Sequence, residues 1–411
     1  MTVYLFLYNV VAIKATLSQI AYDADSQFIL IGSEYCLDKL SETNKSFFHK
    51  THQVTRNFHQ IDFHEVETIL LSYLKDHEAG SIRLLTNEDS TQLVCAQLRE
   101  KYRIPGSTTE QVLPYVNKAV SKNKLLGHIK SPEFVLFDKQ AYQENNERYI
   151  QSVIDQIGFP MFIKPVDLVS SIGTYYIPDE LTFRKVLECI HQEPWTFEID
   201  QFIDGDLFHC DAVVHDNDIE FFMAGRYANP LAKFSKGSPM GSIPVKDESL
   251  FEDLKAFSHS ILKCLGMFSS AFHIEIFQDK KTGELIFLEA AARTPGALVP
   301  EMYEMMFDQN LEKLHYVAQM NSIRVLGIHP TPYHAGWITF PQIKGTLVDI
   351  NKPQINIKNN TTYFVTSGET LKQANSLLDS SCSVVFWDES YQNIENTFEF
   401  LKHHQLLKFN E

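Results

Sequence analysis

The sequence predicts an α/β fold built from more than one domain, and three observations carry that expectation. Short apolar runs alternate with segments of helical periodicity along the chain. At 411 residues the chain is long for a single domain. Hydrophobic residues make up 44% and charged residues 21%, an ordinary globular mix with enough apolar material for sizeable cores.

A first region runs to about residue 115. The apolar segment Val3 to Ile13 has no basic residue before it and is too short to cross a bilayer, so it reads as a buried first strand and not as a signal peptide. Phe28 to Ile31 and Ile82 to Leu85 are further strands. A helix is expected from about Ser90 to Tyr102, with Asn87 or Asp89 as its N-cap and a stop near Ile104-Pro105-Gly106. A second region, about 116–320, holds nearly all the chemical signals. There Leu250, Leu254, Phe257, Ile261, Leu262 and Leu265 recur at helical spacing up to Gly266. A third region, 321–411, has a strand over Gly336 to Phe340 and helices expected near Glu369 to Leu378 and Ser390 to His403. It carries no catalytic constellation and reads as a packing domain that closes the structure.

The formal net charge is −16, so the surface as a whole repels nucleic acid and anionic membrane. Any anionic substrate must be held by a local cluster of Lys and Arg. Six widely spaced cysteines form no C-x-x-C pair, which argues against a disulfide framework or zinc site and fits a reducing cytoplasm. No membrane-spanning segment is visible.

The sharpest chemical signal is an acidic hairpin. In Ala271 to Phe277, strand alternation puts His273, Glu275 and Phe277 on one face. In Glu284 to Glu289 it puts Leu285, Phe287 and Glu289 on one face, and Asp279 to Gly283 has a turn composition. A hairpin symmetric about Thr282 sets Glu275 directly opposite Glu289. Like charges so placed are destabilising unless something positive lies between them. Lys or Arg would serve, and a hard divalent cation suits two carboxylates. Two solvated glutamates are the plain alternative. Arg293 follows just past the second strand, where a guanidinium can take a phosphoryl oxygen.

Three softer signals lie upstream. Phe159 to Lys164 is a strand ending in a lysine, followed by Pro165 and a loop with Ser170, Ser171 and Gly173. Small residues let backbone N–H groups approach phosphate oxygens, and the lysine adds a point charge. Asp200-Gln201-Phe202-Ile203-Asp204-Gly205 is an acidic strand end suited to a nucleotide's amino group and sugar. Asn117-Lys118 opens a basic helix. Neither a G-x-x-x-x-G-K-[ST] loop nor a G-x-G-x-x-G motif occurs.

Taken in order, these four signals resemble the ATP-grasp superfamily over about residues 85–345. The resemblance implies an ATP-grasp fold with an N-terminal parallel-sheet domain (1–115), a core with a lid subdomain (116–320, lid about 120–205) and a small C-terminal closing domain (321–411). It implies that Lys118 and Lys164 contact ATP phosphates and that the 166–173 loop is a mobile lid. It puts Asp200, Gln201, Phe202 and Ile203 by adenine, Mg²⁺ (with Mn²⁺ able to substitute) on Glu275 and Glu289, and Arg293 on the transferred phosphoryl group or the reacting carboxylate. Two departures stand out. Ala291 occupies a position where the family usually has a metal-binding Asn, and Leu207 one where it has a ribose-binding Glu. Within the superfamily, Gly205 to Asp211, His273-Ile-Glu275 and the Glu289-x-Ala291-x-Arg293 pattern look like the L-amino acid ligases and carnosine synthase. That implies ATP-dependent joining of amino acids through an acyl phosphate, with His209, Lys236 and His273 as substrate residues and a homodimer as a family-level expectation. The rivals are an ATP-grasp carboxylase or purine-pathway ligase, and a nucleotide-binding regulator without turnover.

Overall fold

The structure is a computed structural model, and it describes residues 1–20, 25–169, 172–320 and 328–409. The first region forms a four-stranded parallel sheet in the order 50–54, 27–33, 3–8, 82–86. Its strand Val3–Tyr8 is buried along its whole length. That is why it reads as a continuous apolar run and not as an alternation. Odd and even residues feed two different cores: Val3, Leu5 and Leu7 pack in one, Tyr4, Phe6 and Tyr8 in the other. The expected helix is present as Asp89–Tyr102, and its N-cap is Glu88, not Asn87 or Asp89. The Glu88 carboxylate does not cap the helix. It accepts the backbone N–H groups of Asn9, Val10 and Val11, which anchors the loop after the first strand.

A second, antiparallel sheet has the order 134–136, 197–201, 161–165, 175–177. Helices Asn146–Ile157 and Glu180–Ile190 cover one side of it, closing a small core around Met161, Ile163, Phe183, Leu187 and Ile199. This is the segment expected to act as a lid.

The largest element is an eight-stranded antiparallel sheet in the order 285–291, 270–279, 205–215, 218–227, 240–244, 334–341, 380–388, 358–363. Helix Glu248–Leu265 packs Leu254, Ile261, Leu262 and Leu265 onto Phe272 and Ile274 on one face. It stops at Gly266, whose φ of +99° lies in the left-handed region. The opposite face packs against Met302, Tyr303, Met306 and Leu314 of the helices Val299–Phe307 and Leu311–Met320. Three strands of the third region continue this same sheet, so its buried Trp337 belongs to the central core.

One expected helix of that region is present, as Tyr391–Lys402. The other is absent. Residues 369–378 instead form the short strand Thr370–Leu371, paired with Gly345 and Thr346, and lead into a 3-10 turn at Leu377–Asp379 capped by Ser376. Sheet pairing and a capping box override helical periodicity there. Among the described residues no helix is long and apolar enough to cross a membrane. All six cysteines are free thiols.

Candidate active site

The hairpin fixes the acidic pair. Asp279 Oδ1 accepts the backbone N–H groups of Lys281 and Thr282 and so holds the turn. Near the turn the strands pair as Ile276 with Phe287, Phe277 with Ile286 and Gln278 with Leu285. The register then shifts, and Glu275 pairs directly with Glu289. Leu288 is the extra, unpaired residue of a β-bulge. The expected facing of the two glutamates is therefore present, but the expected common face of Phe287 and Glu289 is not. Phe287 turns into the core with Ile274 and Ile276, while Glu289 lies with Glu275 on the other face. The bulge is the physical reason, since one additional residue reverses the alternation beyond it.

Positive charge surrounds this pair. Lys118 starts the helix Lys118–Leu125, capped by the Asn117 side chain. Its side chain is only 15% exposed, with Nζ 2.7 Å from the Leu168 carbonyl oxygen and 3.9 Å from Glu289 Oε2. Lys164 is buried, with Nζ 3.3 Å from Asp200 Oδ2 and 3.5 Å from Glu198 Oε1. Burial opposes its charge, but Asp200, Glu198 and Glu289 outweigh that and hold its pKa above the usual lysine value. Burial likewise disfavours the Glu289 carboxylate. Lys118, Lys164, His273 and Arg293 overcome it and pull the pKa below the usual range, so the site is built to keep this glutamate ionised.

A residue that sequence reasoning passed over completes the cluster. Lys122, fully buried, reaches Asp200 Oδ1 at 2.6 Å and Glu198 Oε1 at 3.0 Å, and stacks over Phe134. Two lysines and two carboxylates thus form a compact tetrad beneath the lid sheet. The Asp200 carboxylate, expected beside adenine, is committed to this tetrad. The rest of that segment differs: Gln201 is exposed, and Phe202 meets Tyr176 edge to face at 5.1 Å. Ile203 is buried.

The small-residue loop is described in part. Ser170 and Ser171 lie outside the described residues. Gly173 has φ +69°, and a Cβ there would stand 3.1 Å from the Pro165 ring, so a side chain is resisted on both counts. A cleft of about 350 Å³ opens between this part of the lid and the loop that carries Lys236, lined by Phe162, Gly173, Tyr176 and Phe234. Lys236 Nζ sits 5.6 Å from the centre of the Tyr176 ring.

His209 and His273 converge on one carboxylate. Asp211, fully buried, accepts from His273 Nδ1 at 2.7 Å through Oδ1, and from His209 Nδ1 at 2.7 Å and Tyr303 OH at 2.6 Å through Oδ2. His209 Nε2 meets Ser242 Oγ at 2.8 Å. A Cβ on Gly225 would collide with the His209 ring, so only glycine fits across from it. Burial opposes the His273 cation, but Asp211 and Glu275 prevail and raise its pKa to about 9.

Arg293 is held from the N-terminal region. Its Nε donates to Asp89 Oδ2 at 2.6 Å, in the first turn of helix Asp89–Tyr102. The neighbouring Thr294 pairs with Asn87, and Gln92 Nε2 donates to the Ala292 carbonyl. Asp89 was legible only as a helix-start residue, because its partner lies about two hundred positions away in sequence. Leu207 is buried in the apolar core and offers a sugar nothing polar.

The donor set suits magnesium. Two carboxylates face each other and are partly open to solvent, and surrounding cations keep Glu289 ionised, which is oxygen-rich chemistry for a hard divalent ion.

Known proteins resemble this chain in sequence and in fold. Residues 126–312 match the family described as D-ala D-ala ligase C-terminus. That match spans the central part of the chain and, with the fold, makes it similar to ATP-grasp proteins of the ligase class. Within that class it is similar to the L-arginine-specific L-amino acid ligase of Bacillus subtilis, at 22% identity over 296 residues, 70% of this chain and 68% of that one. It is also similar to the D-alanine–D-alanine ligase of Staphylococcus carnosus, at 24% identity over 305 residues, 67% and 82% of the two chains. Among solved structures, L-amino acid ligase from Bacillus licheniformis superposes with a TM-score of 0.72 at 14% identity, covering 99% of both chains. N5-carboxyaminoimidazole synthetase from Staphylococcus aureus, complexed with ADP, gives 0.67 at 14% identity, covering 98% of this chain and 97% of that one.

Proposed function

We propose that this protein is an ATP-dependent carboxylate–amine ligase that joins two amino acids and releases ADP and phosphate. The observation that carries the reading is the facing pair Glu275 and Glu289, enclosed by Lys118, Lys164 and Arg293. The similarity to an L-amino acid ligase over 70% of the chain supports the substrate class.

The chemistry runs in two steps. A substrate carboxylate oxygen attacks the γ-phosphorus of ATP, the bond to the bridging oxygen of ADP breaks, and an acyl phosphate forms. The second substrate's amine then attacks the acyl carbon. The amide forms, inorganic phosphate leaves, and the amine gives up a proton. Phosphoryl transfer of this kind depends mainly on positioning and charge neutralisation. Lys118 and Lys164 would neutralise phosphate oxygens, and Arg293, oriented by Asp89, would hold the transferred group or the attacking carboxylate. Glu275 and Glu289 would hold magnesium, which supplies Lewis-acid charge stabilisation on the phosphate oxygens. Closure of the lid sheet over the 350 Å³ cleft would keep water from the acyl phosphate.

The test is a screen of amino acid pairs with Mg-ATP, scoring phosphate and coupled product together. Phosphate release that requires an amino acid pair supports the proposal. Release that needs bicarbonate and no amino acid would transfer the reading to carboxylase chemistry.

A further inference from the structure

We propose that the cavity at the C-terminal end of helix Asp89–Tyr102 binds a small monocarboxylate, whose carboxylate pairs with the guanidinium of Arg99. The cavity holds about 290 Å³ and lies between that helix end, the turn at Asp216 and Asn217, and the start of strand 270–279. It is separate from the glutamate pair. Ser270, in its lining, stands five residues from Glu275 on one strand, about 17 Å away.

Arg99 is a buried cation without a counter-ion. It is 4% exposed. Its Nη1 donates to the Ser107 carbonyl oxygen and, at 2.9 Å, to Ser107 Oγ, and its Nη2 donates to the Leu84 carbonyl oxygen. These bonds hold the planar group in place but bring it no negative charge. Among the described residues no carboxylate pairs with it. The acidic group that acts on it is the Cys95 thiol, which burial pushes up to about 11 and so keeps neutral. The negative end of the helix offsets the guanidinium only in part. A buried charge with no partner is strongly disfavoured, and an arginine does not escape by losing its proton. Its Nε is moreover buried with no hydrogen-bond partner. No side chain closes off that atom, because its neighbour is a glycine. A Cβ on Gly106 would stand 2.6 Å from Nε, and the φ of +141° there favours glycine.

The rest of the lining indicates which anion fits. Arg83 is a second cation, and its Nη1 donates to the Gly80 and Ile82 carbonyl oxygens, which are uncharged. Among the described residues that line the cavity, Asp216 is the one acid. It sits in a two-residue turn, where Asp216 and Asn217 have φ +50° and +68°, and its backbone N–H donates to Ser269 Oγ at 3.1 Å. Two arginines and one aspartate leave a surplus of one positive charge, which suits a monoanion better than a phosphate dianion. A planar guanidinium matches the two oxygens of a carboxylate. Pro105, Met267 and Phe268 offer an apolar wall to a short carbon chain. A simple carboxylate and an amino acid carry the same headgroup, and the ammonium of the second would meet Asp216.

The test follows the methyl NMR signal of Met267 in the full-length protein, assigned with Met267→Leu, during titration with butyrate, L-2-aminobutyrate, butanamide and inorganic phosphate. Butyrate should shift the signal saturably, and butanamide, its uncharged counterpart, should not. Arg83→Gln, at the partly exposed edge of the cavity, should weaken butyrate binding roughly tenfold, as the loss of a hydrogen bond to a charged group does. Arg99→Met should abolish the response, with a thermal melt to confirm folding; if it does not fold, Arg83→Gln and butanamide decide the matter. Tighter binding of L-2-aminobutyrate than of butyrate, erased by Asp216→Asn, supports an amino acid as the ligand, and equal or weaker binding supports a simple carboxylate. Equal shifts with butyrate and butanamide, tighter binding of phosphate than of either carboxylate, or no saturable shift at Met267 would each overturn the proposal.

Discussion

Lys122 Nζ lies 2.6 Å from Asp200 Oδ1, and the two side chains are 0% and 3% exposed. A lysine so deeply buried is tolerated only because Glu198 and Asp200 meet it together. Burial and the neighbouring Asp200 raise the Glu198 pKa, against the pull of Lys122 and Lys164. Replacing Lys122 with Met leaves two adjacent buried carboxylates with Lys164 alone. The expected cost is about 3–5 kcal/mol, the usual penalty for breaking a buried ion pair from one side. Chemical denaturation of Lys122→Met measures it, and a loss below about 1 kcal/mol would show that the tetrad is not a structural unit.

Glu289→Gln separates chemistry from folding. The variant keeps the hairpin register, because the Asp279 turn and the apolar strand partners set it. It removes half of the proposed cation pair, so turnover should fall at least about 100-fold, or ~2.7 kcal/mol in barrier. Since the site favours the ionised form of Glu289, a small loss of stability should accompany it. Steady-state phosphate release beside a thermal melt tests both halves, and near-normal turnover would remove Glu289 from the mechanism.

Asp89→Asn probes a contact between the N-terminal helix and the site. The amide retains the shape but loses the charge that faces Arg293 Nε. A looser guanidinium should raise KM for the carboxylate substrate and lower kcat/KM by about tenfold, with KM for ATP little altered. An equal loss for both substrates would mean that Asp89 supports the fold and not the orientation of Arg293.

These residues also show where sequence stops being readable. The glutamate pair was legible because strand period and turn symmetry are local, although the observed register is offset by one residue near the turn and meets the symmetric one only from Glu275 and Glu289 onward. The bulge at Leu288 was not, since no turn or glycine signal marks it. Lys122 sits among Lys118 and Lys124 in what reads as a solvated basic helix. Only the lid strand, some eighty residues on, converts it into a buried cation. His209 and His273 could be suspected from their strands, while Asp211 as their shared acceptor depends on pairing between strands 205–215 and 270–279.

His315 links three parts of the molecule and makes stability depend on pH. From helix Leu311–Met320 its Nδ1 accepts the Ala271 backbone N–H at 2.8 Å, and its Nε2 donates to the Thr86 carbonyl at 2.6 Å. A second proton on Nδ1 would point at another N–H. Burial, the dominant cause, lowers the pKa from 6.5 to about 4 against the opposing pull of the Thr86 carbonyl. Above pH 6.5 the ring is neutral in folded and unfolded chains alike, and its contribution is complete. As pH falls from 6.5 toward 4 the unfolded chain takes up a proton that the folded one refuses, so stability drains away. By pH 5 the loss is ~2 kcal/mol, at about 1.4 kcal/mol per pH unit. His315→Gln cannot titrate. It should be less stable than the parent at pH 7.5, and the gap should narrow by that amount at pH 5 in urea denaturation. A gap that stays constant between the two pH values would show that His315 is free to protonate in the folded protein.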